Sequence, residues 1–370
     1  MPNRLQQLHD AGVSLWLDFI ERTILHNGDL ERRIREDALT GMTSNPTIFE
    51  RALAEGDAYD AQLREAAGDL TAMQLFELVA TTDVRDACDR FRSVYDKTKG
   101  DDGYVSIEVS PAAANNVKAS VDEAQRLWKT VNRPNLFVKV PGTVDGAAAV
   151  QQLIAMGINV NITLLFALEA HDRVINAYMA GLEERVKRGQ PVDRIASVAS
   201  FFVSRVDSEV DKRLDAVKKG ADLKGKAAIA NAKLAYQLFL ERFSSPRWKA
   251  LEAKGARVQK PLWASTSTKN PAYRDVMYVE QLIGPRSINT LPPQTIEAFR
   301  DHGEVRRTVD KDVDEAKRTL EQLEKLGISM KDVTAKLLVD GIASFQKSFD
   351  SLIAGLEKKS KALGRELAAR

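Results

Sequence analysis

Leu136-Phe137-Val138-Lys139-Val140-Pro141-Gly142 is an apolar run with one ammonium at its centre, closed by a proline and a glycine. Apart from Lys139 it reads as a strand buried on both faces, the form taken by strands of a parallel sheet covered by helices. Stability gives no reason for the lysine. Burying a charge is costly unless it is paired, and a desolvated lysine loses its proton more readily. A neutral amine on a rigid strand is what Schiff-base chemistry on a sugar ketone requires. The plainer alternative is a lysine near a strand end whose ammonium reaches back to water.

Seven further apolar segments accompany this one: Ser14–Ile20, Gly41–Ile48, Tyr104–Ser110, Ile158–Leu165, Arg194–Phe202, Pro261–Ser265 and Ser287–Leu291. Most are continuous rather than alternating, as doubly covered parallel strands are. Between them lie stretches of helical period, such as Ser120–Val131 and Leu168–Leu182. Strand and helix alternating about eight times predicts a single (β/α)8 barrel, an α/β fold. Phe49–Gly103 is long enough for two or three helices, and Val206–Gly255 is expected to hold two. Two more helices are expected over about 310–365, the second a long one from Met330 to about Leu363. No composition shift or low-complexity linker divides the chain, so residues 1–370 read as one domain.

Composition narrows the function. A net charge of +2 lacks the basic excess of a nucleic-acid binder. No segment reads as a signal peptide or a membrane helix, and the lone Cys88 allows no internal disulfide; both suit a cytoplasmic protein. The histidines His9, His26, His171 and His302 show no ligand spacing, so no metal is expected. Gly220–Ala227 misses a phosphate loop because Ala227 stands where Ser or Thr must meet magnesium, and no Gly-x-Gly-x-x-Gly occurs. No cofactor, nucleic acid or membrane partner is therefore expected; a monomer and a homodimer both remain open.

Several strands carry polar residues of a catalytic type. The first has Asp18; the second runs into Thr43, Ser44 and Asn45; the third has Glu108; the fourth Lys139; the fifth Asn161 and Thr163. The sixth has Ser200 and Phe202, with Arg205 just beyond, and the seventh runs into Ser265 and Lys269. Polar groups near the carboxyl ends of barrel strands converge on one face, where barrel enzymes place their sites. Each residue alone has a plain reading, such as an ion pair with Lys139 or a turn shaped by Asn45-Pro46. Two carboxylates, a lysine and two amides on five successive strands are harder to explain as core. Such a set suits carbinolamine and Schiff-base formation, with two carboxylates in separate proton-transfer roles.

Four segments carry a family resemblance: Thr43-Ser44-Asn45-Pro46-Thr47, Ser106–Ser110, Phe137–Pro141 and Asn161–Phe166. In this order they resemble the signature segments of the transaldolases. The resemblance implies a metal-free transfer of a dihydroxyacetone unit in the pentose phosphate pathway. Sedoheptulose 7-phosphate would donate to glyceraldehyde 3-phosphate, giving erythrose 4-phosphate and fructose 6-phosphate. It further implies that Lys139 forms the Schiff base, Asp18 is the acid/base at the carbon–carbon bond, and Glu108 with Thr163 holds a proton-shuttling water. Asn45 and Asn161 would bind dihydroxyacetone hydroxyls, with Ser200 and Phe202 lining the site. Phosphate would fall to Arg205 and a cation after strand seven. Here the chain departs from the better-known Ser-Phe-Arg and has Ala264-Ser265-Thr266-Ser267-Thr268-Lys269-Asn270, like a second subgroup, with Lys269 as the substitute. A related fructose 6-phosphate aldolase carries Gln in place of Glu108 and Tyr in place of Phe202. That lyase, and a non-catalytic sugar-phosphate-binding barrel, are the competing readings.

Overall fold

The computed structural model describes residues 3–54, 56–66 and 70–368. Eight parallel strands close a barrel in sequence order: β1 (Val13–Asp18), β2 (Leu39–Thr43), β3 (Val105–Glu108), β4 (Leu136–Pro141), β5 (Val160–Leu165), β6 (Ser197–Phe202), β7 (Lys260–Ala264) and β8 (Ser287–Leu291). β8 pairs with β1, so no edge is left open.

The connection from β4 to β5 shows how sequence writes one unit. Thr143 caps the helix Val144–Met156 by accepting from the Gly146 N–H at 2.9 Å. Gly157 ends it in a left-handed turn, φ 90°. Val150, Leu153 and Ile154 between them are fully buried against the barrel. Each such side chain contributes about 1.5–3 kcal/mol by leaving water.

Two expectations need correction. β2 stops at Thr43 instead of running to Ile48. Asn45 accepts the Ile48 N–H on its Oδ1 at 3.0 Å, and Pro46 opens the helix Pro46–Ala54, so this apolar stretch is a helix start. The span 206–255 belongs to three helices rather than two: Ser204–Val217, Ala227–Arg242 and Pro246–Glu252. The expected C-terminal pair is Val313–Lys325 and Met330–Ala368.

The two ends of the barrel differ. The amino-end floor is aromatic: Trp16 lies 6.1 Å from Phe137, and Phe137 stacks on Tyr104 at 4.2 Å. Gly41 makes this possible, since a Cβ there would lie 2.5 Å from the Trp16 indole. At the carboxyl end the long C-terminal helix packs over the helices Pro46–Ala54, Ala72–Lys97 and Ser204–Val217. Phe349 on it packs edge-on to Phe76, and Phe76 edge-on to Phe49. Gly341 lets the helix come close, because a Cβ there would lie 2.9 Å from Leu164.

One buried group bears on acid stability. His171, on the helix Leu168–Lys187, is fully buried beside Phe201, and neither ring nitrogen has a hydrogen-bond partner among the described residues. Burial pushes its pKa down to about 4. The unfolded chain takes up this proton as pH falls through about 6.5, while the native state resists until about 4. Stability is therefore complete above the unfolded value and is lost as pH falls between the two. Relative to the wild type, His171→Phe is expected to gain about 2 kcal/mol at pH 5 compared with pH 7. Urea unfolding of both proteins at the two pH values measures this; parallel curves would refute it.

Candidate active site

The carboxyl ends of the strands surround a cavity of about 350 Å³. Its wall includes Asp18, Thr43, Asn45, Lys139, Thr163, Ser200, Phe202, Arg205, Ser265 and Lys269. Ten of the side chains expected from the sequence thus meet at one place. Ser44, Glu108 and Asn161 stand behind this wall and act on it through hydrogen bonds.

Strand register explains the convergence. Glu108 on β3 lies opposite Lys139 on β4, and Lys139 lies opposite Asn161 on β5. Residues in register on neighbouring strands share a face. The Lys139 ammonium donates to Glu108 Oε2 at 3.0 Å and to the Ser44 carbonyl at 2.8 Å. Both side chains of the pair are about 5 % exposed. Ser44 donates its hydroxyl to the Ser106 carbonyl at 2.8 Å, which fixes the loop that offers this carbonyl. Asn161 donates to Ser106 Oγ at 3.0 Å and accepts from Ser200 Oγ at 2.6 Å. Its amide orientation is therefore set by two partners.

Asp18 ends β1 opposite Thr43. Thr43 Oγ1 lies 2.8 Å from Asp18 Oδ1 and 2.6 Å from Thr290 Oγ1. An ionised carboxylate can only accept, so Thr43 gives it its single proton and Thr290 donates to Thr43. Burial pushes the Asp18 carboxyl above its usual range, while the charges of Lys139, Lys269 and Arg205 and the Thr43 hydrogen bond oppose the rise. Burial also raises Glu108; Lys139 opposes the shift and the Asp18 charge adds to it. The two carboxyls therefore sit in different settings, one paired directly with the amine and one facing the cavity.

Thr163 is fully buried, yet its hydroxyl has no protein partner among the described residues. It precedes Leu164, whose φ of 57° is unusual for a branched side chain inside a strand and coincides with a register shift against β6. The bulge leaves this hydroxyl on the cavity wall.

Positive charge gathers toward the rim. Arg205 follows β6, and its guanidinium lies 5.3 Å from the Phe202 ring and 5.9 Å from that of Phe345. Two aromatic neighbours restrict the planar group and leave its N–H edge for an anion. Lys269 is exposed on the segment after β7 and donates to Ser267 Oγ at 2.8 Å. Such a cavity can hold a polar, anionic, carbonyl-bearing ligand against an amine and two carboxyls.

Sequence reasoning missed several wall residues: Thr47, Ile48 and Arg51 on the helix after β2, Ser267, Thr290 on β8, Gln294, and Phe345 on the C-terminal helix. Thr290 carried a usable signal, a hydroxyl near the carboxyl end of an apolar strand. Phe345 had none, because helical spacing alone does not say what a helix covers. No group of His, Cys, Asp and Glu among the described residues could hold a metal ion. No described helix is long and apolar enough to cross a membrane.

Comparison with known proteins agrees with this geometry. The family profile described as Transaldolase/Fructose-6-phosphate aldolase matches residues 15–356. The chain is 46% identical to a transaldolase of Trichodesmium erythraeum over 98% of both chains. It is 45% identical to one of Frankia alni over 99% of both. It is 47% identical to one of Thermobifida fusca over 95% of this chain and 97% of that one.

The Thr43 hydroxyl lowers the Asp18 pKa, so removing it acts with burial. In Thr43→Val the midpoint of Asp18, read from its 13C carboxyl shift, is expected to move to higher pH. An unchanged midpoint would separate Thr43 from the Asp18 proton.

Proposed function

The chain belongs to the transaldolase/fructose-6-phosphate aldolase family, and from that premise we propose a transaldolase that passes a dihydroxyacetone unit between sugar phosphates through a Schiff base on Lys139. The carrying observation is the buried Lys139 amine, 3.0 Å from Glu108 and facing a cavity that also holds Asp18.

The steps follow from the geometry. Glu108 takes one proton from the Lys139 ammonium, and the freed amine attacks C2 of the ketose, forming a C–N bond while the carbonyl electrons move to oxygen. The proton released by nitrogen passes to the C2 oxygen through a water held near Thr163. Glu108 then returns its proton to the C2 hydroxyl, which leaves as water and gives the protonated Schiff base. Asp18, as the carboxylate, takes the proton of the C4 hydroxyl. The C3–C4 bond breaks, its electron pair flows into the iminium, and an aldose leaves. The enamine left on Lys139 then attacks the acceptor aldehyde, and Asp18 returns its proton to the new hydroxyl. Hydrolysis frees the amine. With sedoheptulose 7-phosphate as donor and glyceraldehyde 3-phosphate as acceptor, the products are erythrose 4-phosphate and fructose 6-phosphate. A carboxyl whose pKa is raised by burial is a stronger base than an exposed one and so better suited to taking and returning this proton.

Asn45 and Ser200 hold the hydroxyls of the three-carbon unit in this reading, with Asn161 behind them accepting from the Ser200 hydroxyl, and Phe202 forms the apolar side of the pocket. Arg205 and Lys269 meet the phosphate, the first as a bidentate fork and the second as a point charge. Thr43 orients Asp18, while Ser44 and Ser265 contribute through their places beside the amine and the rim. Glu108 and Phe202 favour transfer over the lyase reading, as do relatives named transaldolase. A barrel that only bound sugar phosphate would not need a buried amine paired with a carboxylate.

Borohydride reduction in the presence of fructose 6-phosphate is expected to leave a stable three-carbon adduct on Lys139, found by peptide mass analysis, and none in Lys139→Arg. A folded protein without the adduct would remove the Schiff base. Adding erythrose 4-phosphate to fructose 6-phosphate should give sedoheptulose 7-phosphate; continued release of free dihydroxyacetone would favour the lyase. Glu108→Gln is expected to slow Schiff-base formation by about 10²–10⁴ in single-turnover trapping, and an unchanged rate would take Glu108 out of the proton path.

A further inference from the structure

Two carboxylates outside the cavity have no part in these steps, yet they connect two of its cations, Arg205 and Lys269. Asp207 and Asp211 lie one turn apart on the helix Ser204–Val217, the same helix whose second residue is Arg205. Burial pushes the Asp207 carboxyl up to about 7, and the Asp211 charge one turn away on the same helix face adds to the rise. Asp207 is 1% exposed and has no salt-bridge partner among the described residues, so its polar contacts must offset its burial.

Each carboxylate divides its oxygens the same way. Asp207 Oδ1 accepts the Ala228 N–H at 2.7 Å, and its Oδ2 accepts the Tyr278 hydroxyl at 2.8 Å. Asp211 Oδ1 accepts the Gly225 N–H at 3.1 Å, and its Oδ2 accepts the Tyr273 hydroxyl at 2.5 Å. Satisfying the turn that opens the helix Ala227–Arg242 occupies only the first oxygen of each. The second oxygens reach a different element, the segment between β7 and β8 that carries Lys269.

That segment is anchored on both sides of Lys269, and before it the buried Thr266 donates its hydroxyl to Asn289 Oδ1 at 2.8 Å. At its start, the Ser204 N–H donates to the Ser265 carbonyl at 3.0 Å, and the two serine hydroxyls lie 2.9 Å apart. Beyond Lys269, the Tyr273 N–H donates to the Asn270 carbonyl at 3.0 Å. Lys269 itself is exposed, and its one side-chain hydrogen bond among the described residues is to Ser267. A flexible point charge on such a segment is located by its anchors.

We propose that Asp207–Tyr278 and Asp211–Tyr273 form a double clasp that sets Lys269 at a working distance from Arg205, making the four residues positioning residues for phosphate recognition. This rests on the reading that Arg205 and Lys269 meet the substrate phosphate. The clasp supplies for a lysine on a long segment the placement that the rigid fork of an arginine carries in itself.

Tyr273→Phe and Tyr278→Phe test it, because each removes the O–H to Oδ2 and leaves the Oδ1 contacts intact; the Tyr273 hydroxyl also meets the Asn270 side chain, so Tyr278→Phe is the cleaner of the two. Steady-state kinetics with fructose 6-phosphate and with phosphate-free fructose are the readout, with Lys269→Ala measured alongside. Each tyrosine variant is expected to raise KM for fructose 6-phosphate about tenfold, the loss of one hydrogen bond to a charged group. Their kcat should stay within about twofold and their kinetics with fructose should not change. In a Lys269→Ala background, Tyr273→Phe should add nothing further. A KM rise in Lys269→Ala with none in the tyrosine variants would overturn the clasp while leaving phosphate recognition in place. Equal effects on both ketoses, or full additivity with Lys269→Ala, would also overturn it by reducing the tyrosines to a structural part. An unchanged KM in Lys269→Ala would instead refute the reading beneath it, and the clasp with it.

Discussion

The buried pair of Lys139 and Glu108 is the constraint to which the rest of the site answers. Taking two charges out of water costs several kcal/mol per ion before any attraction is counted. The pair persists because β3 and β4 hold it in register, and because the Ser44 carbonyl takes a second donor of the amine. A loop could not hold this geometry against solvent. The closed barrel, its aromatic floor and the helix over its mouth all exclude water from this pair. The same exclusion raises both carboxyls, so one physical cause keeps the amine close to a proton acceptor and holds the Asp18 carboxyl above its usual range.

Charge is arranged by depth. Acid and amine lie at the base of the cavity, and cations toward the rim. An anionic ligand is thereby oriented before any bond forms, its phosphate outward and its carbonyl toward Lys139. Arg205 joins the two levels. Burial lowers its pKa, while the charges of Asp18 and Glu108 oppose the change, so its cationic state depends in part on the acids beneath it. Removing either carboxyl would thus alter the rim as well as the chemistry.

Much of this was legible in the sequence, for reasons that differ by element. Continuous apolar runs bounded by Pro, Gly and polar clusters marked all eight strands, since a doubly covered parallel strand has little choice of residue. The polar residues in those runs pointed to the site because nothing else explains their expense. The end of β2 was misread: the polar Thr43-Ser44-Asn45 reads as part of a strand running on to Ile48, and only the Asn45 contact with the Ile48 N–H reveals a helix beginning. The third helix in 206–255 was missed because Ser245-Pro246 is a helix start as readily as a helix end. Arg51 and Phe345 escaped notice because they reach the cavity through tertiary packing, which no period encodes. The split use of oxygens by Asp207 and Asp211 is likewise invisible in a string where both look like solvated helix charges.

Gly341 and Phe345 give the order of assembly a chemical meaning. The strands that bring Lys139 and Glu108 together are all complete by Leu291, whereas Phe345 comes from the helix that starts at Met330. During synthesis, the barrel can close with its reactive amine already in register while the lid over Arg205 is still unmade. The small, close-fitting contact of Gly341 on Leu164 is where that late helix finds its seat beside the β5 bulge. A helix made only after the whole barrel therefore completes the cavity wall beside Arg205.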